Sequence, residues 1–380
     1  MPEIAVLMPV HNAGTRSSMD GTAGSAPILS FLIPIYQMEH FLRRSLDSLF
    51  MQHRPEVEYV FVDDGSRDRS WAVLQEILHE NPGPRACSIL LRLPENRGVE
   101  NARIEALARA RGRYLWFMDA DDLLARGTVD AVLELLQRED PDVLQCRCRN
   151  LFAGEEMPSL PEKLDYGTVN KEAMLRIALT CRSTLHSACL NLIKMELARN
   201  HPMVRTGLRI AEDYVMQIRW LVFAEKILEI RDPIYGYVQR PSSAMHRHDL
   251  VRRNRDVNAA TNLIVKFFEE EVPAGQYCFA RKELETARIN LRGYLLCCIY
   301  GDYPRSEQPG IYRECAGLFQ GMALRRVLLY AQSCYLPLLI LDHWGAERLL
   351  PYCFSLMRRG RVWSAGIQTV IRQWLGRVRG

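Results

Sequence analysis

From Leu29 onward the chain alternates short apolar runs with segments of helical periodicity. Leu29–Ile35 is a near-continuous apolar run and predicts a buried strand. Glu39–His53 places Phe41, Leu42, Leu46, Leu49 and Phe50 at helical spacing. A second strand, Val57–Val62, is broken by Asp63-Asp64-Gly65-Ser66, and a helix follows over Asp68–Leu78. Ser88–Leu91 predicts a third strand and Gly98–Arg111 a helix. Tyr114–Met118 predicts a fourth strand, stopped by Asp119-Ala120-Asp121-Asp122; then come a helix over Thr128–Gln137 and a strand over Val143–Cys146. Strands alternating with helices of this length imply βαβ units, an α/β fold and a mostly parallel sheet flanked by helices. Ligands of such sheets bind beyond the carboxyl ends of the strands. Both acidic clusters fall there, so they are expected to face one crevice.

The pattern loosens after about residue 150. Leu151–Asn170 predicts a loop, 171–180 and 212–225 predict helices, and Ile227–Ile230 a strand. Residues 250–380 are mainly helical in pattern. We therefore divide the chain into an N-terminal extension (1–27), an α/β domain (28–248) and a mainly helical C-terminal region (249–380). The extension echoes the first strand: Ile4-Ala5-Val6-Leu7-Met8-Pro9-Val10 resembles Leu29-Ser30-Phe31-Leu32-Ile33-Pro34-Ile35. The second copy precedes a helix and stands one strand–helix–strand interval before Asp63, so it is assigned to the sheet.

Composition narrows the class. Hydrophobic residues at 48% and charged residues at 25% are those of a folded globular chain. A net charge of +4 gives no reason to expect nucleic-acid binding. Residues 348–380, however, hold seven arginines and no Asp, Glu or Lys. There Trp363, Ile367, Val370, Ile371, Trp374, Leu375 and Val378 share one helical face. That is the pattern of a basic interfacial helix on an anionic membrane; the alternative is a helix packed on its own domain. The 11 cysteines include no C-x-x-C pair, which argues against a zinc site or disulfide framework and for thiols in a reducing cytoplasm. The most apolar late run, Val327–Leu341, is interrupted by Gln332, Ser333 and Pro337, short of a membrane span. Residues 1–27 lack a basic start and do not predict a signal peptide. A cytoplasmic protein, peripheral on the inner membrane face if the tail binds lipid, is the expectation.

Asp119-x-Asp121 at a strand end suits a hard divalent cation, Mn²⁺ or Mg²⁺, whose shell diphosphate oxygens complete. Asp63 is either a turn residue or a carboxylate accepting a base N–H. With these elements in order, residues 29–125 resemble the donor-binding half of glycosyltransferase family 2, which has the GT-A fold. The matching residues are Pro34-Ile35-Tyr36-Gln37, Asp63-Asp64-Gly65-Ser66, Asn96-x-Gly98-x-x-x-Ala102-Arg103 and Met118-Asp119-Ala120-Asp121-Asp122. Gln37, Ile104 and Ala106 depart from the family's Asn, Asn and Gly. The resemblance implies donor contacts from Pro34, Tyr36, Asp63, Asp64, Arg103 and Asp119, and metal ligation by Asp121 with Asp119. Glu212-Asp213 resembles the family's second acidic pair, which supplies a base for the acceptor hydroxyl. Asp213 is favoured over Glu212; acids at a helix N-terminus are the structural alternative. His246 or His248 is available as a further metal ligand, or is a loop histidine.

These readings converge on a metal-dependent, inverting transfer of a sugar from a nucleotide donor, UDP-linked by expectation. The acceptor is a saccharide or a lipid-linked acceptor in cell-surface polysaccharide or glycolipid synthesis. A sugar-1-phosphate nucleotidyltransferase would need a glycine-rich phosphate loop, and Ser30–Met38 contains no glycine. A non-catalytic saccharide- or partner-binding module would be expected to lose acids from 119–122 or 212–213, and all are present.

Overall fold

The computed structural model describes residues 26–152, 154–180, 187–239 and 250–316, with 339, 342, 349–351 and 353. Residues 1–25 with their echo of the first strand, the 240–249 segment with His246 and His248, and nearly all of the arginine-rich tail lie outside the described residues.

The chain separates into two compact units. One comprises Met1–Ala178 and Ser183–His246; the other comprises Leu179–Arg182 and Arg247–Gly380. The first contains strands β1 (Leu29–Ile35), β2 (Val57–Asp63), β3 (Ser88–Arg92), β4 (Tyr114–Phe117), β5 (Leu123–Leu124), β6 (Val143–Leu151), β7 (Tyr166–Thr168), β8 (Asn191–Lys194) and β9 (Ile227–Val238). Its helices are α1 (Leu42–Phe50), α2 (Ser70–Glu80), α3 (Pro82–Ala86), α4 (Val99–Leu107), α5 (Thr128–Glu139), α6 (Lys171–Leu179), α7 (Met195–Asn200) and α8 (Glu212–Phe223). The strands form one sheet in the order β3-β2-β1-β4-β8-β6-β9-β5, with β7 added against β9. Strands β3, β2, β1 and β4 are parallel throughout. Beyond them β8 runs antiparallel to both β4 and β6, so the sheet is mixed.

Burial explains why the first half reads so clearly. All seven residues of β1 and all seven of β2 are buried, because β1 lies between β2 and β4 and helices cover both faces. Such strands must be apolar on both sides. Pro34 is tolerated within this central strand because alternate residues of β1 face β4, and β4 pairing stops at Leu32↔Phe117. Leu32 O still accepts from Met118 N at 3.1 Å; the missing N–H of Pro34 falls past the ladder. At the opposite end of the sheet Glu58 is buried within β2. Its carboxylate accepts from Ser30 Oγ (2.6 Å), Gly112 N (3.1 Å) and Arg111 Nε (2.9 Å), closing the turn between α4 and β4.

The second unit is described over three helices, α9 (Leu250–Glu270), α10 (Ala280–Asp302) and α11 (Gln308–Ala316). Asp342 accepts from Arg292 Nη2 (2.7 Å), Arg292 Nε (3.0 Å) and the Tyr312 hydroxyl (2.7 Å), so the buried charge of Arg292 is paired and hydrogen-bonded. No helix among the described residues is long and apolar enough to cross a membrane.

Candidate active site

The two glycine-containing motifs meet each other. After β2 the chain turns at Gly65, whose φ is +67° and whose Cβ, if present, would stand 2.6 Å from the Glu95 carbonyl carbon. No other residue fits there. Asp64 Oδ1 accepts from Arg97 N and Oδ2 from Gly98 N, both at 2.8 Å. Gly98, at φ +91°, opens α4. Asp64, an expected donor contact, thus has both oxygens committed to the backbone that launches α4. Burial raises its pKa, partly offset by these two amides. Asp63 is fully buried; its Oδ1 accepts from Ser66 N (3.1 Å), and its Oδ2 lies 3.0 Å from Arg92 Nε at the end of β3. The Arg92 guanidinium also lies over Trp71, 5.7 Å from the ring centroid.

The loop after β1 is held from the same side. Gln37 N donates to Ser66 Oγ (3.0 Å), Met38 N to Ser70 Oγ (2.6 Å) and Glu39 N to Asp68 Oδ2 (3.3 Å). Gln37 adopts φ +55°, a left-handed conformation that asparagine takes more readily, which is the physical content of the departure at this position. Pro34 is buried beneath this loop and Tyr36 is half-buried.

The second acidic cluster divides into three different environments. Asp122 is fully buried: its Oδ2 accepts from the Tyr235 hydroxyl (2.8 Å) and its Oδ1 from Val238 N (2.9 Å). Burial, then the charges of Asp119 and Asp121, push its pKa well up. The Tyr235 oxygen in turn accepts from Asp119 N at 3.1 Å, so the end of β9 is fastened to the acidic loop. Asp122→Ala would leave a buried hydroxyl and a buried N–H unpaired, and it is expected to cost about 2–4 kcal/mol. Urea denaturation of the two proteins at neutral pH measures that loss. Asp119 and Asp121 remain partly exposed at the strand end.

Arg103 joins the two acidic pairs. It lies in α4, is buried, and donates from Nη1 to Glu212 Oε1 (2.7 Å) and from Nη2 to Asp119 Oδ1 (3.3 Å). Burial opposes its charge, but Asp119, Glu212 and Asp213 more than offset that, and its pKa is raised. Its guanidinium lies over Phe117, 5.7 Å from the ring centroid. Glu212 opens α8 and is 8% exposed. Asp213 is half-buried; its Oδ1 accepts from Tyr214 N (2.8 Å), and among the described residues its Oδ2 takes no hydrogen bond. The preceding Ala211 stands at φ +68°, a strained conformation for alanine immediately before the pair.

Burial and the neighbouring charge of Asp213 push the Glu212 carboxyl up to about 7, against the attraction of Arg103. The folded state therefore binds this proton more tightly than the unfolded chain, whose glutamate titrates near 4.5. The stabilising contribution is complete below about pH 4.5 and is lost as pH rises through 7. Glu212→Gln should flatten the stability profile across that window, measured as denaturation midpoints at a series of pH values.

Asp119, Asp122 and Cys189 place ligand atoms within 4.8 Å of one another. Asp122 has both oxygens committed, and burial raises the Cys189 thiol pKa well above its usual value, so the thiol is neutral. A neutral thiol does not suit a hard cation. The donor set that fits Mg²⁺ or Mn²⁺ is Asp119 with Asp121; the expected third ligand, His246, lies outside the described residues.

Sequence reading did not assign Tyr235, Arg92 or Glu100. A tyrosine within an apolar strand signals a buried hydroxyl seeking a partner, but nothing in the order of residues names Asp122 as that partner.

A mixed sheet of this order with helices on both faces, and acids beyond β2 and β4, is the GT-A glycosyltransferase fold. The crystal structure of S. aureus TarS 1-349 superposes with a TM-score of 0.64 at 20% identity, covering 89% of this chain and 93% of that one. The complex of the same fragment with UDP-GlcNAc gives a TM-score of 0.67 at 19% identity, covering 89% and 93%. Residues 30–185 match the model of glycosyl transferase family 2. Relatives include the uncharacterized glycosyltransferase EpsJ of Bacillus subtilis (strain 168), 24% identical over 57% of this chain and 62% of that protein. Another is the uncharacterized glycosyltransferase YibD of Escherichia coli (strain K12), 25% identical over 60% of this chain and 65% of that protein. The match thus spans just under two thirds of either relative. The minor teichoic acid biosynthesis protein GgaB of B. subtilis (strain 168) is 30% identical over 30% of this chain and 12% of that protein.

Proposed function

We propose that this chain transfers a sugar from a nucleoside-diphosphate donor, UDP by expectation, to a saccharide or lipid-linked acceptor, with inversion at the anomeric carbon. The observation that carries the reading is the Arg103 bridge. One buried cation holds Asp119 of the donor-side cluster and Glu212 of the acceptor-side pair, which keeps Asp213 close to the donor carboxylates. Asp63 offers an acceptor for a base N–H beside the donor group of Arg92, a pairing that suits uracil. Tyr36, at the end of β1, is a half-buried side chain for stacking or ribose contact.

Asp213 takes the proton of the acceptor hydroxyl as that oxygen bonds to the anomeric carbon. The bond from that carbon to the diphosphate breaks, and the nucleoside diphosphate carries away its electron pair. Glu212, held by Arg103, does not compete for this role; it positions the start of α8. A divalent cation held by Asp119 and Asp121 would stabilise the charge on the departing diphosphate.

The nucleotidyltransferase alternative is disfavoured because the amides of 37–39 are already bound to Ser66, Ser70 and Asp68 and cannot cradle a phosphate. Relatives such as GgaB, named for teichoic acid biosynthesis, support a cell-surface polymer as the product class. UDP release from a panel of UDP-sugars, with and without Mn²⁺, tests the proposal; no release from any of them, in either condition, would refute it. The arginine-rich stretch 348–380 is proposed to hold the enzyme on an anionic membrane surface, each basic residue there contributing on the order of 1 kcal/mol. Truncation at Met357 should then abolish flotation with anionic liposomes and leave donor hydrolysis intact. Equal flotation of both proteins, or flotation of neither, returns the stretch to a packing role.

A further inference from the structure

Glu100 is a buried carboxylate, 4% exposed, in the first turn of α4, one helical turn before Arg103. It takes no part in the chemistry proposed above. Its Oε1 accepts from Thr206 N (2.7 Å) and Thr206 Oγ1 (2.6 Å), and its Oε2 accepts from Gly207 N (3.0 Å). The Thr206 hydroxyl also accepts from Leu208 N at 3.1 Å. The next residue of α4, Asn101, accepts through Oδ1 from Arg205 Nη1. These contacts bind the middle of the segment joining α7 to α8, which has no regular structure of its own over 201–211.

The same segment is fixed at both ends. At its start His201 stacks on Phe223, with ring centroids 3.7 Å apart and planes at 5°, and His201 O accepts from Trp220 Nε1 at 2.9 Å. At its end, after the left-handed Ala211, Glu212 meets Arg103. Between these anchors Pro202, Val204, Arg205, Gly207 and Arg209 are exposed, so little apolar burial holds the middle in place. A buried carboxylate with three donors is the strongest restraint on that stretch.

We infer that Glu100 is a positioning residue: with Arg103, one turn further along α4, it sets the path of 201–211 and thereby the placement of Asp213. This rests on Asp213 as the base. The argument is geometric. One rigid helix holds the segment at two points a turn apart, and the residue to be placed follows directly after the second. Releasing the first point lets the segment move while the second still ties Glu212. Small displacements of a base are costly, about a hundredfold in rate for a shift of about 1 Å.

The test uses the full chain with Glu100→Ala, Glu100→Gln and Thr206→Val. Hydrogen exchange followed by peptide mass spectrometry reads the segment; calorimetric titration with UDP and Mn²⁺ reads nucleotide binding; UDP release from the best UDP-sugar of the panel reads turnover. Glu100→Ala should raise exchange over 202–213 by about tenfold or more while β1 to β4 keep their protection. Its UDP affinity should stay within about twofold of wild type, with turnover reduced about tenfold or more in kcat and donor KM little changed. Glu100→Gln keeps the acceptor for Thr206 but turns an NH₂ toward Gly207 N, so it should fall between alanine and wild type. Thr206→Val removes a single hydroxyl contact and should show the same pattern, weaker; it carries the test should Glu100→Ala fail to fold. Unchanged exchange over 202–213, or UDP affinity falling in step with turnover, overturns the inference. Loosening confined to 202–213, in a protein whose wild type neither binds UDP nor releases it, overturns the nucleotide reading and leaves the restraint itself standing.

Discussion

Asp121→Ala is expected to reduce sugar transfer by at least about a hundredfold, without loss of fold. The residue follows Trp116, Phe117 and Met118, all fully buried, so the strand's burial places the acid at the mouth of the sheet. Its neighbour Asp119 already shares one oxygen with Arg103, and Asp122 has both oxygens committed. On the proposed reading Asp121 is the carboxylate that, with Asp119, would hold the cation neutralising the diphosphate. Such stabilisation is worth several kcal/mol in the transition state, and each 1.36 kcal/mol is about tenfold in rate. The measurement is UDP release over a Mn²⁺ titration, with denaturation midpoints as the control for fold. Wild-type turnover in the variant under chelator-controlled conditions would remove Asp121 from the metal site. The contrast with Asp122→Ala sharpens the result: two adjacent acids, one lost at the expense of activity and the other at the expense of stability.

Asp213→Asn should leave UDP affinity near wild type and lower transfer by about 10²–10⁴-fold, the usual worth of a general base. The amide keeps the size of the side chain and an oxygen for Tyr214 N, so the start of α8 should persist. What is lost is the capacity to take a proton. Glu212→Gln tests the alternative. Glu212 is buried and ion-paired to Arg103 at 2.7 Å, so its loss should act mainly through the position of α8 and the pH profile of stability. A larger loss of turnover in Glu212→Gln than in Asp213→Asn, with both proteins folded, would assign the base to Glu212.

Much of the donor-side architecture was legible in the linear order because it is built from local rules. β1 begins and ends at the predicted residues, and β2, β3 and β4 differ from expectation by one residue at their ends. Their neighbours bury both faces, which forces continuous apolar runs. The acids at their carboxyl ends were identifiable because a polar cluster must follow where burial stops. The 151–170 stretch, expected as a loop, contains the end of β6 and the three-residue strand β7, whose residues are half-buried or exposed. β8, α7 and the two-residue β5 were also not foreseen. Short antiparallel strands beside a buried core carry too few residues for periodicity to register, and their pairing depends on partners far along the chain.

Residue types and spacing determined which groups were available: carboxylates after β2 and β4, a further pair opening α8, an arginine in α4. They did not determine how those groups divide their work. Asp63 and Asp64 are adjacent, yet Asp64 fastens α4 while Asp63 stands beside Arg92. Asp121 and Asp122 are adjacent, yet Asp122 is sealed against Tyr235 and Val238, 113 and 116 residues away. Glu212 and Asp213 are adjacent, yet Arg103, 109 residues from Glu212, holds that carboxylate and leaves Asp213 Oδ2 unbonded among the described residues. In each pair the chemistry of the two side chains is nearly identical. What separates them is burial and the identity of a distant hydrogen-bond partner, and both are properties of the packed sheet and helices.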